Sequence, residues 1–177
     1  MDLNPAVVEK VIKKEEARFY QYLVSFADFV AEYKGAIPYE LYVAGDGLYS
    51  LGITNFLVNE LGYIPHGVYI DDDAPKAHEE KIREEFAKIV PDYQDVLQFQ
   101  ADGELIVNDI EKKIGSSKKA LILDSYWEHQ LAKKTDTFFV SLSMPVLNEV
   151  VTNGSYAGYS GGLHLFKLSE ELFCHRL

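Results

Sequence analysis

A chain of 177 residues, 47% hydrophobic and 13% aromatic, carries enough apolar material for one well-buried core and too little for two. A formal charge of -11 with a pI near 4.8 argues against a nucleic-acid backbone or an anionic membrane as partner, because most of the surface would repel either. The single cysteine, Cys174, excludes an internal disulfide and a metal or iron–sulfur centre held by this chain's thiolates alone, and it points to a cytoplasmic location.

The N-terminal stretch mixes acids with lysines and has no apolar leader, and no segment reaches the roughly 20 apolar residues of a membrane span. Asn4-Pro5 pairs an N-cap residue with proline at the first helical position. Apolar side chains then recur at Val8, Val11, Ile12, Phe19, Leu23, Phe26 and Val30, which predicts a long amphipathic helix ending near Gly35. Such a helix is roughly 40 Å long, more than a compact domain of this size needs, so part of it is expected to pack on another surface. An exposed stripe on it predicts self-association.

Short apolar runs then alternate with helical stretches. Glu40–Ala44, Gly67–Ile70, Val96–Phe99, Ala120–Leu123 and Phe138–Leu142 read as strands, which implies a parallel sheet with helices on its faces. The helix after the first strand runs through Tyr49, Ile53, Phe56, Leu57 and Leu61 and stops at Gly62, a left-handed cap. Residues 76–90 are mostly Glu, Lys and Arg around an apolar stripe of Ile82, Phe86, Ile89 and Val90, so this helix shows a broad face to water. The expected fold is a three-layer α/β/α sandwich built on a Rossmann-like parallel sheet of about five strands. Residues 1–35 form a helix packed on the α/β domain of residues 36–177.

Strand-to-helix junctions at the carboxyl edge of such a sheet are where open α/β folds bind ligands. Gly45-Asp46-Gly47 reads either as a helix cap with flexible glycines or as a turn that approaches a ligand. Ser125, Trp127 and Glu128 read as a capping box with a core tryptophan, or as an indole laid against a cofactor or neighbouring subunit. Residues 153–162 hold four glycines with Tyr156 and Tyr159 before a C-terminal helix, a loop suited either to close backbone approach or to a plain connection.

Neither the dinucleotide nor the P-loop fingerprint occurs, and no basic residue accompanies the first glycine turn, which disfavours a nucleotide or nucleotide-sugar site. His66, His78, His129, His164 and His175 lack the spacing that puts two imidazoles on one face. They read as surface or satisfied histidines. Asp71-Asp72-Asp73 reads as a solvated, helix-capping acidic turn, and Cys174 as a terminal spectator. No residue is singled out as catalytic or as a metal ligand.

Three stretches in order carry a resemblance. The first is the long helix with Glu16 and Arg18, then Tyr42-Val43-Ala44-Gly45-Asp46, Leu51-Gly52-Ile53-Thr54-Asn55-Phe56-Leu57 and Glu60-Leu61-Gly62. The second is Asp124-Ser125-Tyr126-Trp127-Glu128 with Leu131-Ala132. The third is Ser143-Met144-Pro145-Val146-Leu147-Asn148-Glu149, followed by Ala157-Gly158-Tyr159-Ser160-Gly161-Gly162-Leu163. Together they resemble the C-terminal Rossmann-like domain of nitrogenase component 1 oxidoreductases, over residues 15–173, or about one third of a full subunit of that family.

The resemblance implies a site at Gly45, Asp46, Gly47, Ser125, Trp127, Glu128, Asn148, Gly158, Tyr159, Gly161 and Gly162. It implies one wall of a metallocluster or substrate pocket, in a lobe that does not catalyse alone. An iron–sulfur or iron–molybdenum-type cluster would belong to the full assembly, with no cofactor held by this chain alone. The partners implied are a sister component 1-type subunit or a second copy, and an ATP-dependent reductase, with neither nucleic acid nor membrane. Asn148 stands where cofactor-bearing subunits of the family have a ligating histidine, and an amide is a poor substitute at a transition metal. That departure supports a second reading, a free-standing binding or cofactor-assembly scaffold that has lost redox chemistry.

Overall fold

In the computed structural model, which describes residues 4–33, 39–73, 75–117, 119–125 and 129–142 together with 158, 161, 162, 164 and 165, the first helix starts where its cap predicts. The Asn4 side-chain oxygen accepts from the Ala6 N–H at 3.0 Å, and helix α1 runs Pro5–Tyr33. By its internal contacts the chain divides into one unit of Met1–Ile37 with Thr152–Leu177 and another of Pro38–Val151.

The second unit holds β1 (Glu40–Gly45), α2 (Gly47–Asn55), β2 (Ile64–Ile70), α3 (Lys76–Ile89), β3 (Leu97–Phe99), α4 (Gly103–Ile114), β4 (Ala120–Asp124), α5 (His129–Thr135) and β5 (Phe138–Ser141). The five strands are parallel, in the order β3-β2-β1-β4-β5. Strand side chains alternate between faces. Tyr42, Ala44, Tyr69, Ala120 and Ile122 pack with Ile106, Ile110 and Ile114 of α4 and Leu131 and Ala132 of α5. Their neighbours Leu41, Val43, Val68, Ile70, Leu121 and Leu123 are also buried, facing the layer in which α2 and α3 pack together. Burial on both faces explains why these strands read as continuous apolar runs.

Two strand starts differ from the sequence reading, and three strand ends shift by one residue. β2 begins at Ile64, three residues before Gly67, although Pro65 lacks a strand donor. The register slips between Leu41 and Tyr42, which pair with Pro65 and Gly67 and leave His66 as the extra residue. A proline near the start of a strand and beside a bulge loses little. β3 begins at Leu97, because Pro91 opens a 3-10 segment, kinked at Tyr93, that reaches Val96.

Helix α2 does not stop at Asn55 but widens into a π-helical turn, Phe56–Glu60. Gly62 then takes φ 76, with its N–H donating to Val58 O at 3.1 Å and the Tyr63 N–H to Leu57 O at 3.0 Å. The left-handed cap is therefore present, with a loop one residue wider than the usual α-helical end.

Beneath α4 lies a polar cluster. The Tyr69 hydroxyl donates to Asp109 Oδ2 at 2.7 Å and accepts from Lys113 Nζ at 3.2 Å, while Gln98 Nε2 donates to the same carboxylate oxygen at 3.2 Å. Burial alone would raise the Asp109 carboxyl, but the Tyr69 hydrogen bond, the Lys113 hydrogen bond and charge, and Gln98 outweigh it and hold it below its ordinary value. A depressed carboxyl contributes stability that is present above its unfolded pKa, near about 4, and is lost as pH falls through its native value. Asp109→Asn should therefore flatten the acid limb of stability below about pH 4. Urea midpoints measured from neutral to strongly acid pH test this; an unchanged acid limb would mean that the cluster does not couple to folding.

The Tyr42 hydroxyl is different. It is fully buried without a hydrogen-bond partner among the described residues, and burial, with Glu40 and Asp109 nearby, pushes its pKa up to about 12. Removing an unsatisfied buried hydroxyl relieves a desolvation penalty of about 1–3 kcal/mol, so Tyr42→Phe should leave stability unchanged or raise it. Loss of more than about 1 kcal/mol in urea unfolding would reveal a partner for that hydroxyl, such as a buried water.

Candidate functional site at the carboxyl edge of the sheet

β1 pairs with β2 on one side and β4 on the other, so the strand order reverses between β1 and β4. Chains leaving a parallel sheet there diverge to opposite faces and open a crevice at the carboxyl ends. The residues that follow β1 and those at the end of β4 therefore flank that crevice.

Gly45 ends β1 at φ 152, a conformation that favours glycine, and its carbonyl accepts from the Asp71 N–H at 3.2 Å. Asp46 is the N-cap of α2, its carboxylate accepting from Leu48 and Tyr49 N–H groups, both at 3.0 Å. The Gly47 N–H donates to Asp72 Oδ2 at 2.7 Å. A Cβ on Gly47 would lie 2.7 Å from Ile82 Cδ1, so the missing side chain lets α3 approach α2. The first three N–H groups of the helix are thus already held by the chain's own carboxylates, and an external anion would have to displace them. Asp46→Ala should cost about 0.5–2 kcal/mol of stability through the lost cap. An equal thermal midpoint for the variant would show that Asp72 caps the helix unaided.

Asp72 is exposed and caps a helix, as the sequence reading of the acidic turn expects, but the helix is not the one that follows it. It caps α2, twenty-five positions earlier in the chain, whereas the N-cap of α3 is Pro75 with no side-chain bond. A run of three aspartates between a strand and a helix suggests local capping, and only the packing of β2 beside β1 brings Asp72 to Gly47.

At the end of β4, Asp124 is buried; its Oδ1 accepts from the Ser125 N–H at 2.6 Å and its carbonyl from the Leu142 N–H at 2.9 Å. Parallel pairing of β1 with β4 sets this buried carboxylate and Ser125 at the same edge as Gly45, Asp46 and Gly47. The signal for Asp124 was in the sequence, an acid closing an otherwise apolar strand. Trp127, Glu128, Asn148 and Tyr159 lie outside the described residues, so the Ser125 capping box is only half described. Gly158 belongs to the other unit and has φ 68, a backbone conformation that favours glycine. Gly161 and Gly162, read from sequence as loop, are helical, and Gly161 is buried.

The described residues at the strand ends, Asp46, Asp71, Asp72, Asp73, Gln100, Ala101, Asp102, Asp124 and Ser125, include no lysine or arginine. Among the described residues no three His, Cys, Asp or Glu side chains converge to hold a metal. Iron–sulfur and iron–molybdenum clusters take soft thiolate and imidazole ligands, and this hard carboxylate edge does not fit them as a ligand set.

The sequence signature described as Nitrogenase component 1 type Oxidoreductase matches residues 3–171, nearly the whole chain. The chain belongs to that family. A solved structure described as "Nitrogenase Cp1 at pH 6.5" is similar at TM-score 0.71 and 15% identity, over 94% of this chain and 34% of that one. At that identity the likeness establishes the fold, and this family member spans about a third of the length of the matched chain. No curated protein sequence is a significant match. No helix among the described residues is long and apolar enough to cross a membrane.

Proposed function

We propose that this family member acts as one lobe of a nitrogenase component 1-type oxidoreductase subunit in the cytoplasm. Gly45, Asp46, Gly47 and Ser125, with Trp127, Glu128 and Asn148 of the same unit, line one wall of a metallocluster or substrate pocket. The lobe is inactive alone, and the assembly it forms with other domains and a sister subunit would receive its electrons from an ATP-dependent reductase. The supporting observation is the strand reversal between β1 and β4, which sets the Asp46 turn and the buried Asp124-Ser125 pair at one crevice edge. A cluster, when bound, supplies electron storage and substrate reduction. This chain's own groups exclude water and fix the wall, with Asp46 and Asp72 holding the α2 terminus rigid.

Anaerobic reconstitution with iron and sulfide, followed by metal analysis and ultraviolet–visible spectra, tests the assignment on this chain and on the longest open reading frame containing it. Iron retained by the longer polypeptide and not by this chain is the expected result. Iron retained by neither would overturn the lobe reading in favour of a binding or assembly scaffold.

A further inference from the structure

Helix α3 is anchored unevenly along its length. In its second half Phe86 and the following Val90 are buried, the Arg83 guanidinium lies 4.7 Å from the centre of the Phe99 ring, and the Ile89 carbonyl accepts from Asn59 Nδ2 at 3.1 Å. Its first half buries no side chain. Residues 75–78, 80 and 81 are exposed, Glu79 and Ile82 are half-buried, and the N-cap Pro75 supplies no side-chain bond to the first turn. Two contacts described at this end converge on Gly47, which is buried beneath them. Asp72 Oδ2 accepts from the Gly47 N–H at 2.7 Å, and Ile82 Cδ1 lies where a Cβ on Gly47 would meet it.

Opening this half of the helix costs little. A short helical stretch is marginal in water unless it buries a face, and here only Ile82 gains apolar exposure, while Lys76, Glu80 and Lys81 are in water already. α2 survives the opening, because Asp46 still caps it from within its own turn. We propose that Lys76–Ile82 is a flap, latched by Asp72 to the first turn of α2, which opens by local unfolding as far as Arg83 and uncovers Gly47 at the carboxyl edge of the sheet. The flap thereby controls access to the edge on which Gly45, Asp46 and Gly47 stand. Its consequence for the crevice rests on the lobe reading, but its motion does not: the motion is measured on the chain without any ligand or iron, so the two fail separately.

Native-state hydrogen exchange on the full chain, resolved by residue with NMR and repeated at several urea concentrations below the unfolding midpoint, provides the test. The amides of residues 78–82 should exchange through a local opening, faster than those of Phe86, Val90 and strands β1 and β2 and with little dependence on urea. Asp72→Ala should speed exchange at residues 78–82 by about tenfold or more, because it removes a hydrogen bond to a charged acceptor, and should leave Phe86, Val90 and the strands nearly unchanged. Residues 78–82 are the diagnostic ones, since the Gly47 amide loses its acceptor in this variant whether or not a flap exists. Asp72→Asn, whose amide oxygen can still accept from Gly47, should fall between the two. Exchange at residues 78–82 as slow and as urea-dependent as in the strands would overturn the proposal. So would an Asp72→Ala effect that is absent at residues 78–82 or spread evenly over the whole domain.

Discussion

Phe86→Ala should lower the free energy of unfolding by about 3–5 kcal/mol, the range for truncating a buried aromatic side chain. α3 is fourteen residues long, and Phe86 is its one fully buried side chain among the described residues. Ile82 and Ile89 are half-buried, and the rest of the helix is mainly charged and faces water. A helix of this length is marginal in isolation, so its stability comes from the face it buries. The loss should also be local, with amide exchange accelerating across residues 76–96 before the sheet is affected. The ion pair of Lys88 with Glu85, 2.7 Å long and exposed at both ends, offers a control: Lys88→Ala should leave stability essentially unchanged. If Phe86→Ala cost less than the control, α3 would be held by something other than its apolar stripe.

Gly67→Ala should destabilise the domain by about 2–3 kcal/mol, even though alanine is ordinarily the better strand residue. A Cβ at this position would lie 2.7 Å from Cε2 and Oη of Tyr69 and 2.9 Å from its Cζ. Tyr69 lies two residues along the same strand and is 1% exposed, so its ring covers Gly67 and has no solvent into which to swing. Moving it also strains the 2.7 Å hydrogen bond to Asp109, a bond to a charged acceptor worth about 1.5–3 kcal/mol. A double-mutant cycle isolates the cause. In a Tyr69→Leu background the added methyl no longer meets the ring, and Gly67→Ala should then cost less than about 1 kcal/mol. An equal cost in both backgrounds would mean that the backbone at Gly67, not the tyrosine ring, rejects the side chain.

The sheet was legible because its information is local. Buried strands such as Leu41–Ala44 and Ala120–Leu123 are continuous apolar runs, and the intervening helices announce themselves through caps at Asn4 and Gly62 and through the stripe containing Phe86. Pro65 hid the start of β2, since a local reading treats proline as a strand breaker, whereas a bulge opposite Leu41 and Tyr42 accommodates it. The candidate site was only half legible. Gly45 and Asp46 carry their roles in their own turn, a glycine conformation and a cap made within three residues.

Sequence by itself determined the class of fold, the family and the place of the first strand-end turn, because periodicity, capping and motif order are properties of neighbouring residues. Tertiary structure alone decided that Asp72 serves α2, that Gly47 makes room for Ile82, that Gly67 makes room for the Tyr69 ring, and that Tyr69 meets Asp109. Most of these contacts join residues 25 or more positions apart, and the Gly67–Tyr69 contact depends on a ring orientation set by α4. Such partners become neighbours only when burial of the apolar strand faces brings β1, β2 and the covering helices together.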